Sequence, residues 1–371
     1  MTAVVQPGVP AEGAATGGDG NKPSADSRLS AGADWLERLS GPGRILAALV
    51  GALALFALIM VLKGTNPLTA YKDMVSSSFG SWDSIGSILV RATPIILAAL
   101  AVAVPARAGL INVGGEGQLI MGGVAGIAVS QWIDGSLPGP VTLVLMVVGA
   151  AVAGAAWAGF AAMLRQLVGI SESVTTLLLN YVALDLMYYL IYDTWKDRNG
   201  TGQPTTKALP LNERLPLIFG RVHVGILIAL GAALLVGLVF AVTSWGFRLR
   251  VVGGNAEAAR RSGLRVGFLL ISAMAVGGAL AGIGGLTQLA GAEFKLRSGF
   301  IAGYGYVGFL ASWLGRHRPV YVVMSALVLS AIVIGGDSLQ IDSQLPAASV
   351  NVLLALVLLM VFGFGQRKAK A

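Results

Sequence analysis

The chain has 371 residues, 55% of them hydrophobic and only 12% charged, with a mean hydropathy of +0.76. Soluble domains carry about 25% charged residues, so this composition specifies a polytopic membrane protein. The net charge of +8 does not imply nucleic acid, because the basic residues are scattered over many short loops with no basic face. The lack of cysteine excludes disulfides and thiolate chemistry, and the two histidines, His223 and His317, stand far apart, so no metal site is expected.

Residues 1–43 are rich in Gly, Ala, Ser, Pro and charge, and read as a disordered tail. About 20 apolar residues span a bilayer as a helix. Ten segments qualify: 44–62, 85–104, 110–132, 141–164, 174–193, 223–245, 267–290, 300–315, 319–336 and 348–364. The expected fold is therefore an all-α membrane bundle of about ten helices over 44–365, followed by a basic tail at 366–371. The third segment is Gly-rich and the eighth is short, which admits a broken or re-entrant helix where protein or water surrounds it. With the N-terminus inside, sixteen of the Lys and Arg residues fall on the inner side and nine on the outer, which favours both termini in the cytoplasm. Stretch 194–222 is then the longest external loop, a landing surface for an outside partner. The pairs Gly122–Gly126, Gly278–Gly282 and Gly299–Gly303 have the spacing that lets helices approach closely in lipid.

Ionisable and amide residues inside such segments are candidates for function. Glu116 lies in GLINVGGEGQ (109–118) beside Asn112 and Gln118, and four glycines in ten residues permit unwound backbone. Either Glu116 walls a permeation path, with Asn112 and Gln118, or it ties helices together by hydrogen bonds. Ser171-Glu172-Ser173 resembles a helix start, with Ser as cap and Glu at the positive end of the dipole. Asn180 lies about two turns further on, and either bonds a neighbouring helix or lines a polar path; Gln288 and Tyr304/Tyr306 are weaker candidates of the same kind.

The stretch 246–266, GFRLRVVGGNAEAARRSGLRV, carries five arginines between two apolar segments. Asn255 is suited to cap a helix over Ala256–Ser262. Glu257 suits its positive end, Arg260 and Arg261 its negative end, and Gly263 its stop. This reads as a short polar helix held at the membrane surface as a docking element. No Gly-Lys dipeptide occurs, so there is no P-loop, and no catalytic set is visible; the chain is not read as an enzyme.

Four motifs in order, GLINVGGEGQLIMGG, SESVTTLLLNYVA, GFRLRVVGGNAEAARRSGL and GGALAGIGGLTQLAG, resemble the permease subunits of bacterial ABC importers of the branched-chain amino acid/monosaccharide permease superfamily, and most closely its nucleoside or simple-sugar group. The resemblance covers roughly 44–365. It implies a type II importer-like permease in the plasma membrane that moves nucleosides, or alternatively a monosaccharide. It further implies no cofactor, a separate ABC ATPase, a second permease forming a heterodimer, and an external substrate-binding lipoprotein. The ATPase-coupling residues would be Arg250, Gly254, Asn255, Ala256, Glu257, Ala258, Ala259 and Arg260. The family pattern carries Pro where this chain has Ala256. An ion-coupled secondary transporter is the alternative of another class; no inverted repeat supports it.

Overall fold

In lipid, backbone polar groups must be satisfied within the segment, so long apolar runs fold as helices. The computed structural model describes residues 41–200, 202–341, 345–346 and 348–365 of this chain. Its elements are α1 (Gly41–Leu62), α2 (Pro67–Phe79), α3 (Trp82–Ala106), α4 (Gly115–Ile133), α5 (Gly139–Val168), α6 (Glu172–Tyr189), strands β1 (Leu217–Phe219) and β2 (Val222–His223), α7 (Gly225–Val242), α8 (Ser244–Gly254), α9 (Ala256–Arg261), α10 (Val266–Gln288), α11 (Tyr304–Leu314), α12 (Pro319–Ile341) and α13 (Ala348–Gly365). The two expected tails lie outside the described residues, except that 41–43 open α1.

Each of the ten predicted segments contains a helix. By length and apolar composition, however, six of the described helices are able to cross a bilayer: α3, α5, α6, α7, α10 and α12, with shorter apolar stretches in α1 and α13. The eighth segment shortens to the 11-residue α11. At 1.5 Å per residue that is roughly 16 Å, about half of a hydrocarbon core. The cause lies just before it, where Gly299 and Gly303 both adopt φ +86. This third glycine pair therefore makes turns rather than a helix-packing face.

Helix α10 sits at the centre, packed chiefly on α5, α3 and α4. The other two glycine pairs explain how. A Cβ on Gly278 would overlap the Gly154 carbonyl of α5, and one on Gly122 of α4 would overlap the Gly282 carbonyl. Backbone thus meets backbone on two sides of α10. Helix α3 is buried without interruption from Ala92 to Pro105.

The described part of the long 194–222 loop packs against the end of α10. Helix α10 closes in a π-turn over Leu289–Glu293, and the loop pairs with the backbone that follows: Thr206 N–H to Leu296 O at 3.0 Å, Leu209 N–H to Phe294 O at 2.7 Å, and Leu215 N–H to Ala290 O at 2.9 Å. Its end forms the β1–β2 hairpin.

Stretch 246–254 was expected as loop and is helical. Thr243 leaves the helical region, at φ −101 and ψ 150, and its hydroxyl accepts the Gly246 N–H at 3.1 Å. The chain restarts as α8, which buries Leu249 and Val252, three residues apart, while its arginines stay on the exposed side. The charge of this stretch masked an amphipathic pattern.

Candidate functional site

Unwound backbone inside a bundle is tolerated only where partners satisfy it, and GLINVGG is so satisfied. The chain leaves α3, turns at Gly109 (φ +78) and runs non-helical to Gly114. Helix α6 supplies most of the partners. Glu172 accepts the Ile111 N–H at 3.0 Å and pairs through its other oxygen with Arg165. Thr176 Oγ1 accepts the Val113 N–H at 3.2 Å. Asn180 donates to Val113 O at 3.0 Å and accepts the Gly117 N–H at 2.8 Å. Asn112 and Gln118 exchange two amide bonds, at 3.0 and 2.9 Å, and Asn112 also donates to Ala101 O and accepts the Gly114 N–H, each at 3.0 Å. Both amides are wholly buried. Ser171 occupies the position before α6, but its hydroxyl meets Ser173 Oγ at 2.8 Å and makes no cap bond. The predicted serine cap is not made, and Glu172 beside it holds Ile111 and Arg165 instead of the first turn of α6.

Glu116 joins this knot to α11. Its two oxygens accept the Gly303 N–H at 2.6 Å and the Gly305 N–H at 2.7 Å. A carboxylate thus caps a helix N-terminus, where orphan N–H groups and the dipole favour an anion. Asn180 adds a 3.4 Å contact to the Tyr306 hydroxyl. The structure therefore brings Asn112, Glu116, Gln118 and Asn180 together as a structural knot, and leaves Gln288 apart from them.

Gln288 instead lines open space near the hairpin end of the bundle. Two adjoining cavities, of about 300 and 580 Å³, share Arg91, Glu293, Tyr304 and Asp337 in their walls; Gln288 belongs to the larger. Arg91 lies 3.6 Å from Asp337, and its guanidinium sits 5.8 Å from the Tyr304 ring centre. Arg297 binds Glu293 through two bonds of 2.6 and 3.0 Å. Arg91, Glu293, Arg297 and Asp337 come together only in the folded chain. The available signal was the charge of Arg91 inside an apolar segment.

At the opposite end of α10 stands α9. Asn255 is extended at φ −156, and its Oδ1 accepts the Ala258 N–H at 2.9 Å, which is the expected cap. Glu257 meets Arg260 at 3.2 Å and Arg261 at 3.1 Å. Ala259 alone points inward; Gly254 to Ala258 and Arg260 are exposed, as is Arg250 on α8. Gly263 at φ +81 ends the turn, so α9 forms without the proline of the family pattern. Beneath it, a Cβ on Gly253 would overlap the Arg107 carbonyl, so α8 rests directly on the turn that leads into GLINVGG. Arg107 lies over the Phe240 ring at 5.0 Å, and burial, with Arg250 and Arg318 nearby, lowers its pKa.

Residues 84–362 match the family described as branched-chain amino acid transport system / permease component. The chain is 37% identical over 340 residues to the glucose ABC transporter permease protein TsgB13 of Haloferax volcanii, covering 88% of this chain and 87% of that protein. It is 32% identical over 320 residues to the guanosine ABC transporter permease protein NupP of Bacillus subtilis, covering 85% and 91%. With the nucleoside ABC transporter permease protein NupB of Lactococcus lactis it shares 31% over 335 residues, covering 85% and 89%. A match across most of the bundle, with relatives above 30% identity along nearly their whole length, places this chain in the family of branched-chain amino acid transport system permease components.

Proposed function

We propose that this chain is the transmembrane permease subunit of an ATP-driven importer that moves nucleosides inward. The carrying observation is its similarity to the guanosine and nucleoside permeases along about nine-tenths of their length. ATP hydrolysis falls to a separate subunit, since this sequence has no phosphate loop. A second permease completes a heterodimer, and an external substrate-binding lipoprotein delivers the cargo. The reading puts both termini in the cytoplasm of a bacterial cell and gives the bundle ten spans, with 110–132 and 300–315 as the broken ones. The capped, outward-facing α9, with Gly254 before it and Arg250 on α8, is the coupling element that the ATPase grips; the cationic surroundings of Arg107 suit an acidic partner surface. Glu116, Asn112, Gln118 and Asn180 hold the wall of the path in shape, and Gln288 faces it.

A monosaccharide is the second reading, favoured by the 37% identity to the glucose permease. Family membership leaves no ground for the ion-coupled carrier. Uptake of labelled guanosine and labelled glucose, in cells with and without the gene, tests the assignment. Guanosine uptake that depends on the gene is the expected result; gene-dependent glucose uptake alone would move the cargo to the second reading.

A further inference from the structure

Charged side chains are costly within a membrane protein unless they are paired, and five of them line the two cavities at the hairpin end. Four of the five pair with one another. Arg91 faces Asp337 at 3.6 Å, and Arg297 holds Glu293 in a two-bonded fork. Each cavity is walled by two arginines and two carboxylates, since Arg221 takes the place of Arg297 in the larger one; Arg221 is itself engaged with Ser87 Oγ at 2.9 Å. An ionic solute entering the smaller space would meet a like charge and would gain only a counter-ion that already has a partner; in the larger, the added cation, Arg221, is exposed to solvent, which screens its charge. A neutral solute perturbs neither pair.

Gln288 supplies the hydrogen-bonding capacity that the charges do not. It is 5% exposed, its amide N–H₂ reaches Glu293 Oε1 only at 3.5 Å, and its Oε1 has no hydrogen-bond partner among the described residues. A buried amide oxygen without a partner is uncommon and costly. The Tyr304 ring gives the shared wall an aromatic face. Volumes of about 300 and 580 Å³ are of the size that holds a small organic solute.

We propose that these adjoining cavities form a binding site for an uncharged, hydroxyl-rich solute, with Gln288 hydrogen-bonding it and the Arg91–Asp337 and Arg297–Glu293 pairs excluding ions. This rests on the importer reading above and extends it to the permease's own selectivity. The test uses the purified transporter complex without its external binding protein. Labelled guanosine and labelled glucose are the probes, and guanosine 5′-monophosphate is the charged competitor. In the wild type, the neutral probe that the intact system imports binds, and the monophosphate does not displace it. Gln288→Leu weakens binding by about tenfold, the effect of one lost hydrogen bond. Asp337→Asn, at a side chain 61% exposed and so tolerant of change, leaves Arg91 unpaired and lets the monophosphate compete. Unchanged binding in Gln288→Leu together with unchanged exclusion in Asp337→Asn would overturn the site while leaving nucleoside import intact. An intact system that imports neither guanosine nor glucose would instead overturn the importer reading.

Discussion

Glu116→Gln isolates what the carboxylate does. In the native chain both oxygens accept backbone N–H groups at the start of α11, at 2.6 and 2.7 Å. A glutamine of the same size keeps one oxygen for one of these donors, but its amide N–H₂ faces the other, donor against donor. One charge-assisted bond to a buried N–H is lost, about 1.5–3 kcal/mol, and so is the negative charge at the positive end of a helix, about 0.3–1 kcal/mol. The total is about 3 kcal/mol, a large share of a typical stability margin of roughly 5–15 kcal/mol. Glu116→Leu removes both bonds and should cost more. The measurement is the thermal unfolding midpoint of the complex in detergent, followed by uptake at matched amounts of protein. The expected order of stability is wild type, then Glu116→Gln, then Glu116→Leu, with uptake falling in the same order. A glutamine variant with the wild-type midpoint and full uptake would refute the capping role, since no rotamer of an amide satisfies two N–H donors as a carboxylate does.

Two further outcomes are expected. Ala259→Pro removes the bond from the Ala259 N–H to Asn255 O and costs α9 about 3 kcal/mol; protein levels in the membrane should stay normal while substrate-stimulated ATP hydrolysis by the partner is lost, and Asn255→Ala, worth about 1 kcal/mol, should give a partial defect. Gly278→Val drives a side chain into the Gly154 carbonyl and should abolish stable accumulation, read as loss of the intact band in membranes.

Much of this arrangement was legible because its signals are local. Ten apolar runs each yielded a helix, four glycines in ten residues marked the unwound GLINVGG, and Asn255, Glu257 and Gly263 specified α9 through contacts within one turn. The rest depends on residues far apart in the chain. The partners of Glu116, the N–H groups of Gly303 and Gly305, stand almost two hundred residues away, and nothing near Glu116 in sequence predicts them. Arg91 and Asp337 belong to α3 and α12, and nothing near either residue predicts their pairing. Helix α8 was hidden for another reason: Arg248 and Arg250 interrupt its apolar residues, and one of its three buried positions, Gly246, has no side chain to mark the inner face.

The two ends of the molecule are joined by rigid contacts rather than by a flexible linker. Gly253 at the end of α8 sits on the Arg107 carbonyl, close enough that no side chain fits between them. From that turn the chain runs straight into the segment whose backbone Glu172, Thr176 and Asn180 hold, and Glu116 then fastens the segment to the first turn of α11. Tyr304, the first residue of that helix, walls both cavities. Displacement travels through packed, hydrogen-bonded elements that move as bodies, and every step here is such an element. A shift of α8 and α9 therefore has a stiff route to the cavity wall, and the glycines of the motif are what let backbone touch backbone along it.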